Sequence, residues 1–195
     1  MRIGYGWDSH EFKRGVTLKI GGVTIPHSSG LAGHSDGDVL LHALTDALLG
    51  AVAAGDIGTF FPPTDPRWKG ADSVVFVREA MRQVRSHGYV VANVDSTLIL
   101  AEPKIVPHAR SIQERVAQLV GVEVSDVGVK AKTPEGMGTD NAAIAHVAVL
   151  LTKKARRGER KALAVEHVPQ SVVDEVVAKV LVEDPIPRRP RKVKR

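Results

Sequence analysis

One stretch of this 195-residue chain constrains its fold more than any other: Val39 to Gly50, built largely from good helix formers, with its polar groups in line. Asp38, His42 and Asp46 recur every fourth residue, so on a helix they make a single stripe, while Val, Leu and Ala cover most of the remaining circumference. A stripe that narrow faces either solvent or a site, and the apolar remainder has to pack on other elements. Ser35 and Asp38 have the spacing of a helix start, Gly55 closes the segment, and Asp46, one turn beyond His42, is placed to orient its imidazole.

Strands and helices alternate around this segment. Met1–Asp8 reads as a short strand, and Val16–Ile25 as two extended pieces about Gly21 and Gly22, a dipeptide suited to the positive φ of a hairpin turn. Phe61 to Pro66 is a loop, because its prolines remove amide donors and fix φ. Asp72 caps a second helix that runs to about His87 and stops at Gly88. A strand at Val90–Ala101, a turn at Pro103–Pro107, a helix at Ala109–Val120 and strands at Val127–Thr133 and Ala142–Thr152 follow. This order predicts an α/β (α+β) domain over residues 1–152: a small mixed or antiparallel sheet with helices on one face and a ferredoxin-like β-α-β-β second half.

The chain has no cysteine, which excludes disulfides, thiolate zinc sites, iron–sulfur clusters and a Cys nucleophile together. Metal chemistry is left to His, Asp and Glu. With no apolar run in the first thirty residues and no span of ~18 apolar residues, the expected location is cytoplasmic, with no membrane contact. The net charge of +5 is uneven: residues 1–151 sum to −2 and 152–195 to +7. The domain therefore lacks the charge of a nucleic-acid binder, and basicity of that kind belongs to the extension at 153–195. There a short helix is expected at about 171–182, before a disordered Pro/Arg/Lys end that reads as a solvated appendage or as a nucleic-acid contact.

Two constellations carry chemistry. Asp8 and His10 lie two apart on a strand and so point to one side, and His42 from the helix completes a two-imidazole, one-carboxylate set of the kind that holds catalytic Zn²⁺. A solvent-facing stripe with an ordinary histidine is the competing reading. His34 and Ser35 sit ahead of the helix, where amides and dipole favour phosphate, and Ser35 as a plain N-cap is the alternative there. Lys130 and Lys132 alternate on a strand that ends in Thr133 and Glu135, offering charge for phosphate and a carboxylate for Mg²⁺. No Walker A motif is present, which excludes a P-loop NTPase.

Gly4-x-Gly-x-Asp8-x-His10, the block Gly33–Gly50, Gly55–Gly58, Phe61-Pro with Thr64 and Asp65, Lys69–Ser73, Asn93 to Asp95, Glu102 to Lys104 and Val129–Glu135 together resemble the 2-C-methyl-D-erythritol 2,4-cyclodiphosphate synthases. The likeness runs in order over residues 1–152. It implies a homotrimer with active sites between neighbours, and a phosphorus–oxygen lyase of the non-mevalonate isoprenoid pathway that converts 4-diphosphocytidyl-2-C-methyl-D-erythritol 2-phosphate to the cyclic diphosphate and CMP. It also implies residue roles. Asp8, His10 and His42 would bind one Zn²⁺ per subunit, and Glu135 would bind Mg²⁺ or Mn²⁺. His34 and Thr133 would stabilise the phosphoryl transition state. Asp56, Ile57, Gly58, Phe61 and Asp65 would line the methylerythritol pocket; Leu100, Lys104, Ile105 and Val106 with Ala131, Lys132 and Thr133 would take the cytidine diphosphate. Ser9 and Ser35 would complete the substrate contacts, and the loop at 59–73 is the expected lid.

Three departures stand out. The loop Thr139–Ala143 is shorter than the family's, putting an axial isoprenoid diphosphate in doubt. Pro63 and Lys132 replace an acidic residue and a Thr, and are expected to tune binding. Two other functions fit the same residues: a zinc hydrolase that uses the triad to activate water, and a non-catalytic nucleotide-binding module whose basic tail is the working part.

Overall fold

In the computed structural model, which describes residues 1–154, the strand that opens the chain runs on to residue 14. This strand β1 (Arg2–Arg14) pairs antiparallel with two neighbours, so it outlasts the expected stop at Asp8: Glu11 still opposes Ala142 and Phe12 opposes Leu31. Next come β2 (Leu18–Ile20) and β3 (Val23–Ile25), a separate hairpin turned by Gly21 and Gly22, both at positive φ as their sequence demands. β4 (Ser29–Leu31) is a three-residue edge strand, too short to leave a period in the sequence, and the reading above passes over it.

Helix α1 (Val39–Ala51) starts at Asp38, whose carboxylate accepts the amides of Leu41, Gly21 and Gly22 at 3.0, 2.8 and 2.6 Å. The cap is therefore Asp38 rather than Ser35, and it ties the helix start to the β2–β3 turn. Burial pushes this carboxyl up, against the pull of the three amides. The one-turn helix α2 (Ile57–Phe60) and a 3-10 turn at Pro66–Trp68 interrupt the Pro-rich loop. Then α3 (Val74–Ser86), β5 (Tyr89–Ile99), α4 (Ala109–Val120), β6 (Val127–Lys132) and β7 (Ala142–Lys153) follow, α4 ending on the left-handed Gly121.

The sheet order is β4-β1-β7-β5-β6, with β5 and β6 parallel and all other pairs antiparallel. The second half is β-α-β-β as expected, with β7 inserted between β1 and β5. Residues from α1, α3 and α4 share one core with alternate residues of the sheet, including Ala143, Ala145, Val147, Val149 and Leu151 of β7. Among the described residues no helix covers the opposite face. There Ile3, Tyr5 and Trp7 are 76%, 61% and 50% exposed.

Two glycines fix where the site lies. A Cβ on Gly4 or Gly6 would come within 1.8 Å of the Ala47 carbonyl oxygen or 1.9 Å of the Ala43 one, so α1 rests directly on the backbone of β1. Alternation then brings Asp8 and His10, next along the same face, up to His42 of α1.

Among the described residues no helix is long and apolar enough to cross a membrane. The expected helix at 171–182, the basic run 153–195 beyond residue 154 and its terminal segment lie outside the described residues.

Candidate active site

Asp8, His10 and His42 converge. The Oδ2 of Asp8 lies 2.9 Å from His10 Nε2 and 3.0 Å from His42 Nδ1, and the two imidazole nitrogens are 3.0 Å apart. Three tetrahedral ligands around an ion at 2.0–2.1 Å stand about 3.3 Å from one another, so this triangle needs to open by only a few tenths of an ångström to take one. Two imidazoles and a carboxylate suit zinc and its neighbours, and among the described residues no other group of three such side chains comes together. Burial alone would push the Asp8 carboxyl up; the two imidazoles against it outweigh that and hold it well below the ordinary 3.8.

His42 is 9% exposed. Its other nitrogen, Nε2, is 2.9 Å from Ser35 Oγ and 2.9 Å from Ser73 Oγ. These two hydroxyls, not Asp46, hold the ring. Asp46 instead accepts the Ile57 amide at 2.7 Å and so anchors the start of α2, and burial pushes its carboxyl up. The i, i+4, i+8 spacing finds the right face of the helix but not the partner of each group. Asp38 and Asp46 tie down neighbouring backbone, and only His42 faces Asp8 and His10.

His10 and His42 of the triad line a cavity of about 270 Å³ together with His34, Ser35, Ile57, Gly58, Phe61, Pro63, Trp68 and Phe76. His34 and Ser35, expected at the phosphate, and Ile57, Gly58 and Phe61, expected at the methylerythritol, line this one cavity. Asp56 and Asp65 sit outside that lining. Asp56 caps α2 through the Thr59 amide at 2.8 Å, and Asp65 caps the 3-10 turn and pairs with Arg67 at 2.5 Å. Ser9 falls between Asp8 and His10 and so faces the opposite side of the sheet, exposed and opposite Ile144.

A second cavity, of about 160 Å³, gathers Leu100, Pro103, Lys104, Ile105, Val106, Ala131, Lys132 and Thr133. Every residue expected for cytidine diphosphate is in it. Lys130 is not, because its ammonium is held by Asp95 on the neighbouring strand. Glu135 is exposed, at φ 52°, and accepts the Thr133 hydroxyl; it stands apart from the triad. The two expected transition-state groups thus lie in different cavities. Across the sheet Asp8 opposes Ala145, which opposes Leu98, which opposes Ala131. Three strand spacings make roughly 14 Å.

The sequence reading missed Trp68 and Phe76 as wall residues and Ser73 as a partner of His42. Phe61 packs on Phe76 and Trp68 with ring centroids 4.5 and 4.9 Å apart, and Phe76 lies 5.8 Å from the His42 ring. The available signal was clustering: four of the eight aromatic residues fall between positions 60 and 76.

With this geometry in view, the relatives are informative. Residues 1–153 match the YgbB family over their whole length. The chain belongs to that family. It is 66% identical over 154 residues to the 2-C-methyl-D-erythritol 2,4-cyclodiphosphate synthase of Koribacter versatilis (strain Ellin345), covering 79% of this chain and 99% of the relative. Against the chloroplastic synthase of Arabidopsis thaliana, identity is 49% over 156 residues, 78% of this chain and 68% of the relative. A solved 2C-methyl-D-erythritol-2,4-cyclodiphosphate synthase in its CDP-bound form superposes with a TM-score of 0.74 at 44% identity, covering 77% of this chain and all of that one (100%). In this family member, then, the Asp8–His10–His42 group and the second cavity, from Leu100 to Thr133, are both in place.

Proposed function

We infer that this chain cyclises 4-diphosphocytidyl-2-C-methyl-D-erythritol 2-phosphate to 2-C-methyl-D-erythritol 2,4-cyclodiphosphate, releasing CMP, as a phosphorus–oxygen lyase of the non-mevalonate isoprenoid pathway. The observation that carries this reading is the triad Asp8–His10–His42 opening into the cavity that also holds His34. Its family membership and a relative that binds CDP support it.

An oxygen of the 2-phosphate attacks the β-phosphorus, the bond from β-phosphorus to the bridging oxygen breaks, and CMP leaves with that electron pair. The enzyme needs no covalent nucleophile; its task is to fold the substrate, align the three centres and meet the developing charge. Ile57, Gly58 and Phe61 hold the methylerythritol backbone, His34 and Ser35 meet the phosphate beside the triad, and Thr133 meets it from the cytidine side. Lys104 and Lys132 balance the diphosphate charge, while Leu100, Ile105, Val106 and Ala131 hold the nucleoside. The loop at 59–73, folded on the cavity through Phe61 and Trp68, excludes water as a rival nucleophile. Zn²⁺ is the ion assigned to the triad and Mg²⁺ or Mn²⁺ the one assigned to Glu135; bound, they supply Lewis-acid stabilisation of the phosphoryl charge.

The three strand spacings between Asp8, in the triad, and Ala131, in the second cavity, give this reading a structural consequence. A diphosphate is shorter than that, so one chain alone does not bring both cavities to the same phosphoryl. A neighbour supplies the other half. The apolar helix-free face with Ile3, Tyr5 and Trp7 is the surface for that assembly, here assigned as a homotrimer. Residues 1–152 form the synthase domain, and 153–195 an extension with no part in the chemistry.

Phosphorus NMR of the purified chain with the substrate, Zn²⁺ and Mg²⁺ tests the assignment. Cyclic diphosphate and CMP are expected. Intact substrate with metal bound refutes it, and linear hydrolysis products favour a zinc hydrolase.

A further inference from the structure

Behind the metal triad runs a chain of hydrogen bonds that neither the resemblance nor the reaction uses. His42 Nε2 meets Ser73 Oγ at 2.9 Å, Ser73 Oγ donates to Asp36 Oδ1 at 2.5 Å, and Asp36 Oδ2 accepts from Lys19 Nζ at 3.0 Å. Ser73 is fully buried. Its amide also donates to Asp36, at 3.3 Å. The segments are laced by backbone as well: the Gly70 amide donates to the His34 carbonyl at 2.8 Å, and the Asp36 amide to the Ala71 carbonyl at 3.1 Å.

The direction of this chain follows from its far end. Burial pushes the Asp36 carboxyl up, but the Ser73 and Lys19 donors outweigh it and hold the group below its ordinary value, so it is ionised and can only accept. The Ser73 hydroxyl must then spend its proton on Asp36, which leaves it only lone pairs to offer His42. Ser73 can therefore accept a proton from Nε2 and cannot donate one to it. Ser35 Oγ touches the same nitrogen with no carboxylate behind it, so it can either donate or accept and decides nothing.

We propose that Ser73 and Asp36 are positioning residues for the metal: they fix His42 as the Nε2–H tautomer, so that its Nδ1 lone pair points into the triad. This rests on the metal role assigned to the triad above. With a divalent cation in the triad, His42 Nδ1 and Asp8 Oδ2, 3.0 Å apart, would both be its ligands and the ring proton would sit on Nε2, against Ser73. The motif is the carboxylate–histidine–metal triad with a hydroxyl inserted as relay. Ser73 is free for this because the helix cap it would otherwise make is taken by Asp72, whose carboxylate accepts the Val74 amide at 2.9 Å.

The test reads tautomer and affinity rather than turnover. In ¹⁵N-histidine NMR of the Zn²⁺-loaded wild-type chain, His42 is expected to carry its proton on Nε2; a proton on Nδ1 overturns the proposal whether or not any variant folds. In competition with a chromophoric chelator, Zn²⁺ alone is expected to bind Ser73→Ala and Asp36→Asn about 10–100-fold more weakly than wild type. Ser73→Thr, which keeps the hydroxyl, restores affinity. Wild-type affinity in folded Ser73→Ala overturns the relay alone if the wild type makes cyclic diphosphate. The expected order of affinities in a chain that makes no product supports the relay and removes the functional reading instead.

Discussion

At the metal end of the molecule each side chain has a neighbour that holds it. Asp8 lies between two imidazoles, His42 between the triad and two serines, and Ser73 against a carboxylate that is itself paired. At the cytidine end Lys104, Lys132 and Thr133 are exposed, Val106 is 80% exposed, and the side-chain bond among these residues and Glu135 runs from Thr133 to Glu135. The first is a finished, preorganised centre within one chain. The second has the lining of a site but not its closure. On the proposed function, the difference teaches that burial within a single chain marks the half of the site built by that chain alone, and that the exposed half is the one a neighbour would cover.

The largest effect expected from breaking this contrast is at the rigid end. His42→Ala should lower turnover by more than about 100-fold, beyond the 10–100-fold typical of an outer partner of a metal ligand, as read by CMP release. Next comes the support beneath it. Gly6→Ala places a Cβ 1.9 Å from the Ala43 carbonyl oxygen, so α1 must lift from β1. A loss of about 1–3 kcal/mol in denaturant unfolding is expected, accompanied by weaker Zn²⁺ binding. A stable Gly6→Ala chain with full affinity would show that the triad does not depend on this contact.

At the open end the expected change is smaller and confined. Lys132→Ala should raise KM about tenfold, the loss of one charge-assisted contact of ~1.5 kcal/mol, without moving Zn²⁺ affinity. A fall in metal affinity would mean the two ends are coupled within one chain. The smallest effect is in acid. Asp36, held below its ordinary 3.8, stabilises the fold while ionised, and that contribution is present above pH 3.8 and lost as pH falls further. The stability difference between wild type and Asp36→Asn should therefore shrink below that pH in urea titrations; a constant difference would place the contribution elsewhere.

Much of this was readable in the chain, and the limits have physical causes. Local signals served well: Gly121 ends α4 where a left-handed residue is required, and Gly21 and Gly22 turn the hairpin. Asp8, His10 and His42 could be grouped because strand and helix periodicities each put them on one face. What escaped depends on contacts far apart in sequence. Ser35 looked like a cap until Asp38 was seen to take three amides, and Ser73 lies 31 residues from the nitrogen it holds. Lys130 was expected to neutralise phosphate, but its pairing with Asp95 depends on the β5–β6 register, which no spacing reveals.

The central claim, that each site joins the metal half of one chain to the cytidine half of another, is tested most directly by mixing two inactive variants. His42→Ala and Thr133→Ala subunits, unfolded and reassembled together, should regain about a quarter of wild-type turnover, because randomly mixed neighbours rebuild that share of sites from one intact half of each. Mixed assemblies confirmed by mass spectrometry that stay as inactive as either variant alone would contradict it.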